Sequence, residues 1–238
     1  LIPYLFGWEE SSLAFDIALH FGTLLAVLVV FSNDWYELLL GAIDKVTKGK
    51  NSFENKMFWY LVIATIPGAI LGFLLDDVVE NIFRTKIWLI AVSLAVMGIF
   101  IYLGDRWADK HYKIETEYQH ITLIQALIIG LSQSLAIIPG FSRSGTTILA
   151  SRLMGLSKNA ATKFTFLLSV PIIIGATILK IGDLTFTLET FIGILTSFIV
   201  GIFSIKFLLN YVKKHDFSIF AIYRIIFAAI ILIKYFLF

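Results

Sequence analysis

The amino-acid sequence predicts an all-α fold: a polytopic membrane helical bundle with inverted-topology repeats and with re-entrant or broken helices. The 238 residues are 58% apolar and only 15% charged, whereas a soluble domain is about half apolar and a quarter charged. This composition leaves too few polar side chains to cover a globule in water. The apolar stretches are also continuous over about 20 residues, which favours membrane helices over the shorter alternating strands of a membrane β-barrel.

Charge and cysteine content exclude several functional classes. The 19 Lys and Arg residues nearly balance the 17 Asp and Glu residues, which leaves a net charge of +2. Nucleic-acid binding usually needs a strongly basic face, so no nucleic-acid partner is expected. The absence of cysteine from the sequence excludes disulfides, thiolate metal sites and cysteine nucleophiles.

Seven windows are long and apolar enough to cross a membrane as helices. They cover residues 15–32, 57–75, 87–104, 121–139, 164–180, 190–211 and 219–238. The stretch at 140–159 is too short and too polar to be an ordinary span. Because irregular backbone at membrane depth survives only where protein or water satisfies its amides, we expect a re-entrant or broken helix that lines a cavity.

The distribution of Lys and Arg predicts the orientation of the chain, because short cytoplasmic loops are enriched in these residues. Three loops rich in Lys and Arg are predicted to be cytoplasmic, at 34–56, 105–120 and 212–217. The loops predicted at 76–86 and 181–188 contain fewer of these residues. The alternation between the two sides places the polar turn at 140–147 toward the outer side of the membrane.

A weak internal repeat bears on the organisation of the chain. Leu-Met-Gly at 153–155 precedes Phe-Thr-Phe-Leu-Leu at 164–168, and Leu-Phe-Gly at 5–7 precedes Phe-Asp-Ile-Ala-Leu at 15–19. Inverted repeats often surround a midplane site in membrane proteins.

This repeat predicts a single integral membrane domain over 1–238, with approximate repeat halves at 1–110 and 121–238. The first-half counterpart of the polar turn would precede Leu1. We therefore expect the first half to lack its N-terminal part.

The strongest functional signal is the polar run at 139–147, Pro-Gly-Phe-Ser-Arg-Ser-Gly-Thr-Thr. A charge inside a membrane segment is costly, so Arg143 is a functional candidate. Its guanidinium carries five donors in a fork that matches phosphate. Gly140 and Gly145 permit a tight turn and the close approach of a ligand. The pattern predicts a phosphate-binding pocket.

Hydroxyl groups complete the predicted pocket. Ser144 or Thr146 is placed to cap the following helix, whose free amides and positive dipole end attract anions, and Ser142 adds a further hydroxyl. The alternative is a capped helix start from which Arg143 reaches the lipid headgroups. The run interrupts an apolar sequence directly after a proline and a glycine, which favours the functional interpretation.

Other polar residues within apolar segments have two interpretations. Gln125, Ser132 and Gln133 share roughly one helix face. Gln125 is expected to make structural hydrogen bonds between helices, while Gln133 either does the same or lines the cavity. Arg224, in the middle of a span, is either a second phosphate clamp or the partner of a buried carboxylate.

The remaining titratable residues give weaker signals. Asp16 and His20 are four residues apart and would be able to orient an imidazole as a general base, although a satisfied polar contact is the more common reason for such a pair. Arg152, Lys158 and Lys163 are expected at the solvated end of the broken helix. The sequence shows no cluster of metal ligands, so no residue is assigned to a metal.

The run at 133–145, Gln-Ser-Leu-Ala-Ile-Ile-Pro-Gly-Phe-Ser-Arg-Ser-Gly, resembles the second signature of the undecaprenyl-diphosphate phosphatases, the BacA/UppP family. The segments at 15–26, 164–171 and 221–224 also resemble this family, so the resemblance covers essentially the whole chain. It implies a hydrolase that converts undecaprenyl diphosphate to undecaprenyl phosphate and inorganic phosphate. This reaction recycles the lipid carrier for peptidoglycan synthesis and thus for cell wall biogenesis and cell shape. Members of the family confer resistance to the antibiotic bacitracin.

The resemblance implies roles for individual residues. Arg143 would clamp the diphosphate, and Ser142 and Ser144 would hydrogen-bond it as part of the catalytic group. Ser142 as a nucleophile is less favoured than a binding role, because no base is visible near it in the sequence. The residues implied in substrate binding are Gly140, Gly145, Thr146, Gln133 and Arg224.

The resemblance also implies a divalent cation cofactor, Mg²⁺ or Ca²⁺, whose ligands are not visible in this chain. The implied partners are a polyprenyl diphosphate lipid substrate and membrane lipids. The implied location is the bacterial plasma (inner) membrane, with multiple passes and an active site that faces the outer side. Because the Glu-x-x-x-Glu and Ser-Ser-x-Gly-His segments of the family would precede Leu1, we expect the chain to lack part of the catalytic site.

Two other functions are consistent with the same residues. A polyprenyl-phosphate flippase or anion transporter would need the anion pocket and the broken helices but no nucleophile. A structural membrane subunit would need neither the anion pocket nor the broken helices, and substitution of Arg143 by alanine would leave its function intact.

Overall fold

The computed structural model describes residues 1–9, 12–83, 86–180, 182 and 187–237. Within these residues it contains ten α-helices: α1 (Ile2–Phe6), α2 (Leu13–Val30), α3 (Ser32–Lys48), α4 (Phe53–Phe83), α5 (Ile87–His111), α6 (Leu123–Ser132), α7 (Arg143–Leu153), α8 (Lys158–Lys180), α9 (Leu188–Tyr211) and α10 (Ser218–Leu237). Short 3₁₀ helices at Tyr118–His120 and Gln133–Ile137 lie on either side of α6. The predicted all-α class is confirmed.

Five helices are long and apolar enough to cross a membrane. They cover Phe53–Leu75, Ile87–His111, Lys158–Ile178, Leu188–Tyr211 and Ser218–Leu237, and they confirm five of the seven predicted spans. Large apolar side chains remain exposed along them, including Phe73, Phe203 and Phe236 at 79%, 71% and 72%. Exposed apolar surface on this scale indicates contact with lipid rather than with water.

The other two predicted spans have different outcomes: the window at 121–139 is wrong as a span, whereas the window at 15–32 coincides with α2, Leu13–Val30. The window at 121–139 holds only a short apolar helix, Leu123–Ile137, which is too short to cross a hydrocarbon core of about 30 Å. The window at 15–32 ends at a 79° bend, after which α3 begins. The loop predicted at 34–56 is therefore largely helical. Hydropathy reports apolar composition but does not report where the helix axis breaks.

Two helices extend past the C-terminal ends of the predicted spans. α4 continues to Phe83 and α5 continues to His111, because helical hydrogen bonding does not stop where the apolar composition ends. The loop predicted at 76–86 is helical up to Phe83, and the loop predicted at 105–120 is helical up to His111. Most of the loop predicted at 181–188 lies outside the described residues.

The contacts between helices divide the chain into two compact units. Unit 1 consists of Leu1–Glu9, Ala64–Thr165 and Val212–Phe238, and unit 2 consists of Glu10–Ile63 and Phe166–Tyr211. In unit 2, α2 packs closely along α9. A Cβ atom on Gly22 would lie 2.4 Å from the carbonyl oxygen of Ile194, so the two backbones touch. Small residues allow this approach, which is how helices associate in lipid.

In unit 1, the main helix pair is α5 and α10. A Cβ atom on Gly98 would lie 3.1 Å from the carbonyl oxygen of Ala221 and 3.3 Å from Cβ of Arg224. The absence of a side chain at this glycine brings Arg224 close to the backbone of α5. Further along the same pair, Ala91 and Ala228 form a fully buried cluster.

Unit 1 also contains a helical hairpin formed by α6, the 3₁₀ helix at Gln133–Ile137, and α7. Its two ends are joined by backbone hydrogen bonds, because Thr116 donates to Gly155 at 2.8 Å and accepts from Ser157 at 3.0 Å. The hairpin therefore enters and leaves at the same end of the unit, and the turn that precedes α7 lies at its far tip. α7, with 11 residues, is too short to cross a membrane.

The open end of the hairpin is held by a buried arginine. Arg152 is 1% exposed, and its guanidinium donates to Asp105 at 2.7 Å, to Glu115 at 2.5 Å and to Asp109. It also donates to the carbonyl oxygen of Leu156 at 2.5 Å. A buried cation needs such complete pairing to offset its loss of hydration.

This network joins the end of α7 to its surroundings in unit 1. The second carboxylate oxygen of Asp105 accepts from the backbone of Phe217 at 3.2 Å, and Lys158 pairs with Asp109 at 2.8 Å. The prediction that Arg152 lies at a solvated helix end is wrong. Its partners lie far away in the sequence, and only the packing of α7 against α5 reveals them.

We predict that Arg152→Met strongly destabilises the protein, because it leaves several carboxylates without their shared cation. Breaking a buried ion pair in this way typically costs about 3–5 kcal/mol. Thermal unfolding in detergent should show a clear drop in Tm. Lys110→Met, which removes an exposed cation near the end of α5, is the control and should leave the Tm unchanged. Equal Tm values for the two variants would contradict a stabilising role for the network.

Candidate functional site

The candidate site begins with the turn at the tip of the hairpin. Gly140 has φ 97°, a conformation that side chains rarely permit. A Cβ atom at this position would also lie 2.4 Å from the carbonyl oxygen of Ile90 and 3.0 Å from the amide nitrogen of Leu94. Gly140 is therefore required both for the backbone conformation and for close packing against α5.

Arg224 fixes this turn from α10. It is 5% exposed, and its guanidinium donates to the carbonyl oxygen of Gly140 at 2.7 Å and to that of Leu94 at 3.4 Å. The sequence left two roles open, a phosphate clamp or the partner of a buried carboxylate. The observed contacts are of a third kind, because they join two backbone segments within unit 1.

Ser142 is the N-cap of α7. Its hydroxyl accepts from the backbone N–H of Gly145 at 3.2 Å and lies 3.1 Å from the hydroxyl of Ser144. The prediction that Ser144 or Thr146 would cap this helix is wrong, because the helix begins at Arg143, two residues before the start that a Ser144 cap would give. Thr146 is buried, and its hydroxyl donates to the carbonyl oxygen of Arg143 at 2.8 Å.

The backbone around Gly145 is closely packed. A Cβ atom there would lie 3.1 Å from the Cδ1 atom of Ile101 and 3.2 Å from Cβ of Ser142. Gly145 thus allows the first turn of α7 to lie against α5, and its amide remains free to bond the capping hydroxyl.

Arg143 is the first residue of α7 and is partly buried. A guanidinium stays protonated in proteins, so the group is positively charged at neutral pH. Among the described residues, its guanidinium has no hydrogen-bond or ion-pair partner. Arg152 and Arg224, in the same unit, are each bonded to several acceptors.

The two glutamines are bonded to the protein itself. The side-chain amide of Gln133 is buried and donates to the carbonyl oxygen of Ala64 at 3.4 Å. Gln125 donates to the carbonyl oxygen of Met154 at 3.0 Å and forms a capping box with Thr122 at the start of α6. The structural role predicted for Gln125 is confirmed.

The structure thus brings together Ser142, Arg143 and Ser144 at the first turn of α7, with Arg224 behind the turn. Asp16 and His20 belong to unit 2, where both side chains are exposed on α2. The sequence did not predict the carbonyl oxygens of α5 against which the turn at Gly140 packs and to which Arg224 donates. Backbone atoms have no sequence signature, so no signal was available to find them.

The arrangement has the physical features of an anion site. The first amides of a helix have no partner within that helix, and together with the helix dipole they attract negative charge. Here Arg143 is the first residue of the helix, and Ser142 and Ser144 carry their hydroxyls at its N-cap and first turn. Within the described part of the chain, no group of three or more His, Asp or Glu residues is placed to hold a metal ion.

Comparison with known proteins gives a consistent result. Residues 1–230 match the family described as bacitracin resistance protein BacA. An undecaprenyl-diphosphatase of Caldicellulosiruptor bescii is 46% identical over 242 residues, which cover 100% of this chain and 88% of the relative. The undecaprenyl-diphosphatase of Pelotomaculum thermopropionicum is 44% identical, with coverage of 95% and 83%. That of Moorella thermoacetica is 42% identical, with coverage of 100% and 88%. The family resemblance predicted from the sequence is confirmed, and the chain belongs to the BacA bacitracin resistance protein family.

Proposed function

We propose that this chain is an undecaprenyl-diphosphatase that hydrolyses undecaprenyl diphosphate to undecaprenyl phosphate and inorganic phosphate. The relatives named for this activity align with the chain over almost its whole length. The structural observation that carries the proposal is the charged guanidinium of Arg143, which has no partner among the described residues. The activity would recycle the lipid carrier for cell-wall synthesis and thereby support bacitracin resistance.

Arg143 is proposed to bind the terminal phosphate. Its fork is suited to two parallel hydrogen bonds to phosphate oxygens, and the first amides of α7 supply further donors. Ser144 has an exposed side chain that is free to turn toward a bound oxygen. Negative charge that develops on the leaving group or on the phosphoryl oxygens would be stabilised by these fixed donors.

Ser142 and the remaining residues are proposed to shape the site. Ser142 caps α7 and contacts Ser144, which favours a binding role over a nucleophilic one. Gly140 and Arg224 set the position of the turn, so they act on substrate binding through the backbone. Thr146 and Gln133 hold α7 and the 3₁₀ helix through the hydrogen bonds described above.

A divalent cation, Mg²⁺ or Ca²⁺, is implied by family resemblance alone. The described residues do not include a cluster of carboxylates or histidines that fits such an ion. The carboxylates Asp105, Asp109 and Glu115 are already bonded to Arg152. We therefore assign no metal ligand and no catalytic step to a metal in this chain.

The site is proposed to open toward the outer side of a bacterial plasma membrane. The contacts of Phe15 with Gly193 and of Ala26 with Gly201 follow the same order along α2 and α9, so these helices are parallel. In the sequence, lysine-rich segments follow both helices, at 45–56 and 213–214, which supports a common cytoplasmic side. Phe217, three residues after Lys214 in unit 1, donates to Asp105 at the open end of the hairpin, so the hairpin would be re-entrant from that side, with its tip directed outward.

We also propose that the fold contains inverted repeats, on the basis of the weak internal repeat in the sequence. Gly7 and Gly155 occupy corresponding positions of the weak repeat, and each follows a helix with positive φ, at 68° and 83°. This similarity supports α1 as the counterpart of the end of α7. The proposed halves remain 1–110 and 121–238.

A flippase or anion transporter is the second candidate function. Within the described residues, the Ser142 hydroxyl makes hydrogen bonds with Gly145 and Ser144, and neither partner is a base. Transport would need no base. Experiments on the purified protein distinguish the two functions. Phosphate release from undecaprenyl diphosphate in detergent supports hydrolysis, whereas lipid translocation in vesicles without phosphate release supports transport.

We predict that Arg143→Ala lowers the rate of phosphate release by at least about 100-fold, as is typical when a preorganised charge-stabilising donor is removed. Arg143→Lys should also lose most of its activity, because an ammonium keeps the charge but lacks the planar fork. Neither variant should lower the Tm, since the guanidinium has no described protein partner. Lys110→Ala is the matched control. Retention of near-normal release by Arg143→Ala would refute the proposed role.

We predict that Gly140→Ala impairs both folding and phosphate release. The added methyl would lie 2.4 Å from the carbonyl oxygen of Ile90, at a φ of 97°, and the turn would have to move. Gly175→Ala, at a helical glycine with open space around it, is the control and should be neutral or stabilising by about 0.5–1 kcal/mol. Tm and initial rates measured on both variants test this, and a Gly140→Ala protein that behaves like the control would show that the turn tolerates displacement.

A further inference from the structure

Helix α3 has a surface that the proposed function does not use. It has 17 residues and begins directly after the 79° bend that ends α2. Leu38 and Ala42 are its buried side chains, and they define the side that faces the rest of unit 2. Two further sides, of opposite chemistry, remain.

One of these sides is apolar and exposed. Its residues are spaced by three or four positions, as residues on one helix face are. They are Tyr36, Leu39, Leu40, Ile43 and Val46, with exposures of 66%, 47%, 44%, 54% and 77%. This set is named the α3 apolar face. A contiguous exposed patch of this kind usually marks a contact with protein or membrane.

The other side carries the charges of the helix. They are Asp34, Glu37, Asp44, Lys45 and Lys48. Because each residue of a helix is rotated by about 100° from the one before it, these side chains point away from the α3 apolar face. Lys48 pairs with Asp44 at 2.6 Å, and Lys45 donates to the side-chain oxygen of Asn51 at 2.7 Å. The charged side is therefore organised as a water-facing surface. α3 is amphipathic in the sense of an interfacial helix.

Packing within unit 2 fixes the depth of α3 relative to the membrane span of α4. A Cβ atom on Gly41 would lie 2.8 Å from the amide nitrogen of Asn55 and from Cβ of Glu54, so the middle of α3 touches the first turn of α4. The apolar span of α4 begins at Phe53. α3 therefore lies where a membrane span begins.

The bend sets the direction of α3. α2 runs along α9, which is a span, and membrane helices are tilted by about 20° on average from the bilayer normal. A helix at 79° to α2 consequently runs close to the membrane plane. With this orientation and at this level, the helix would lie in the interface instead of crossing the bilayer.

The charges near the C-terminal end of α3 indicate the kind of lipid surface. Lys50 and Lys56 are exposed and follow Lys45 and Lys48 along the chain. Basic residues beside an interfacial helix attract anionic headgroups. Charge complementarity therefore favours an anionic leaflet over a neutral one.

We propose that α3 is an interfacial anchor: its apolar face is inserted at the boundary of headgroups and acyl chains, and Lys50 and Lys56, which follow its C-terminal end, bind anionic phospholipid headgroups. The proposal concerns lipid contact alone and is independent of the phosphatase activity. It would fix the depth and tilt of unit 2 in the membrane.

Single cysteines test this proposal, because the chain has no native cysteine. Ile43→Cys and Val46→Cys report on the α3 apolar face, and Glu37→Cys is the matched control on the charged side. Each variant is labelled with an environment-sensitive fluorophore and reconstituted in phosphatidylcholine vesicles, with or without phosphatidylglycerol. Quenching is measured with nitroxide lipids labelled near the headgroup and with aqueous iodide.

We expect labels at 43 and 46 to emit at shorter wavelength than the label at 37 and to be quenched by the nitroxide lipid, while the label at 37 is quenched by iodide. Phosphatidylglycerol should increase the nitroxide quenching at 43, and Lys50→Gln combined with Lys56→Gln should abolish that increase. Iodide quenching at 43 and 46 equal to that at 37 would place the face in water and overturn the proposal. Protection from both quenchers would overturn it as well, since a second copy or another protein would then cover the face.

Discussion

The proposed function depends on a partly buried guanidinium, that of Arg143 at the first turn of α7, which has no partner among the described residues. Such a group is costly unless something binds it. Arg143 keeps its charge, because a guanidinium is not deprotonated in proteins. A bound anion would satisfy the guanidinium and the free amides of α7 together.

Two other arginines restrain α7, the helix that carries Arg143. Arg152 fixes the far end of α7 to three carboxylates, and Arg224 fixes the turn before α7 to the carbonyl oxygen of Gly140. α7 is thus restrained at both ends, and its first turn cannot shift without breaking buried hydrogen bonds. Preorganisation of this kind is what makes fixed donors effective toward a developing charge.

The sequence was sufficient to predict the helical class, five of the spans and the position of Arg143, since a lone charge in an apolar sequence is conspicuous. It was insufficient for Arg152, whose partner Asp105 is 47 residues away, and for the backbone contacts of Arg224. The identity of the N-cap depended on where the turn at Gly140 ends, which composition does not encode. The bend between α2 and α3 was missed because hydropathy averages over it.

The most direct test of this account is a structure of the protein with a non-hydrolysable analogue of a polyprenyl diphosphate. We expect oxygens of the terminal phosphate within about 2.7–2.9 Å of the Arg143 guanidinium nitrogens, next to the first amides of α7. A diphosphate bound elsewhere in the chain, with Arg143 directed into lipid, would contradict it.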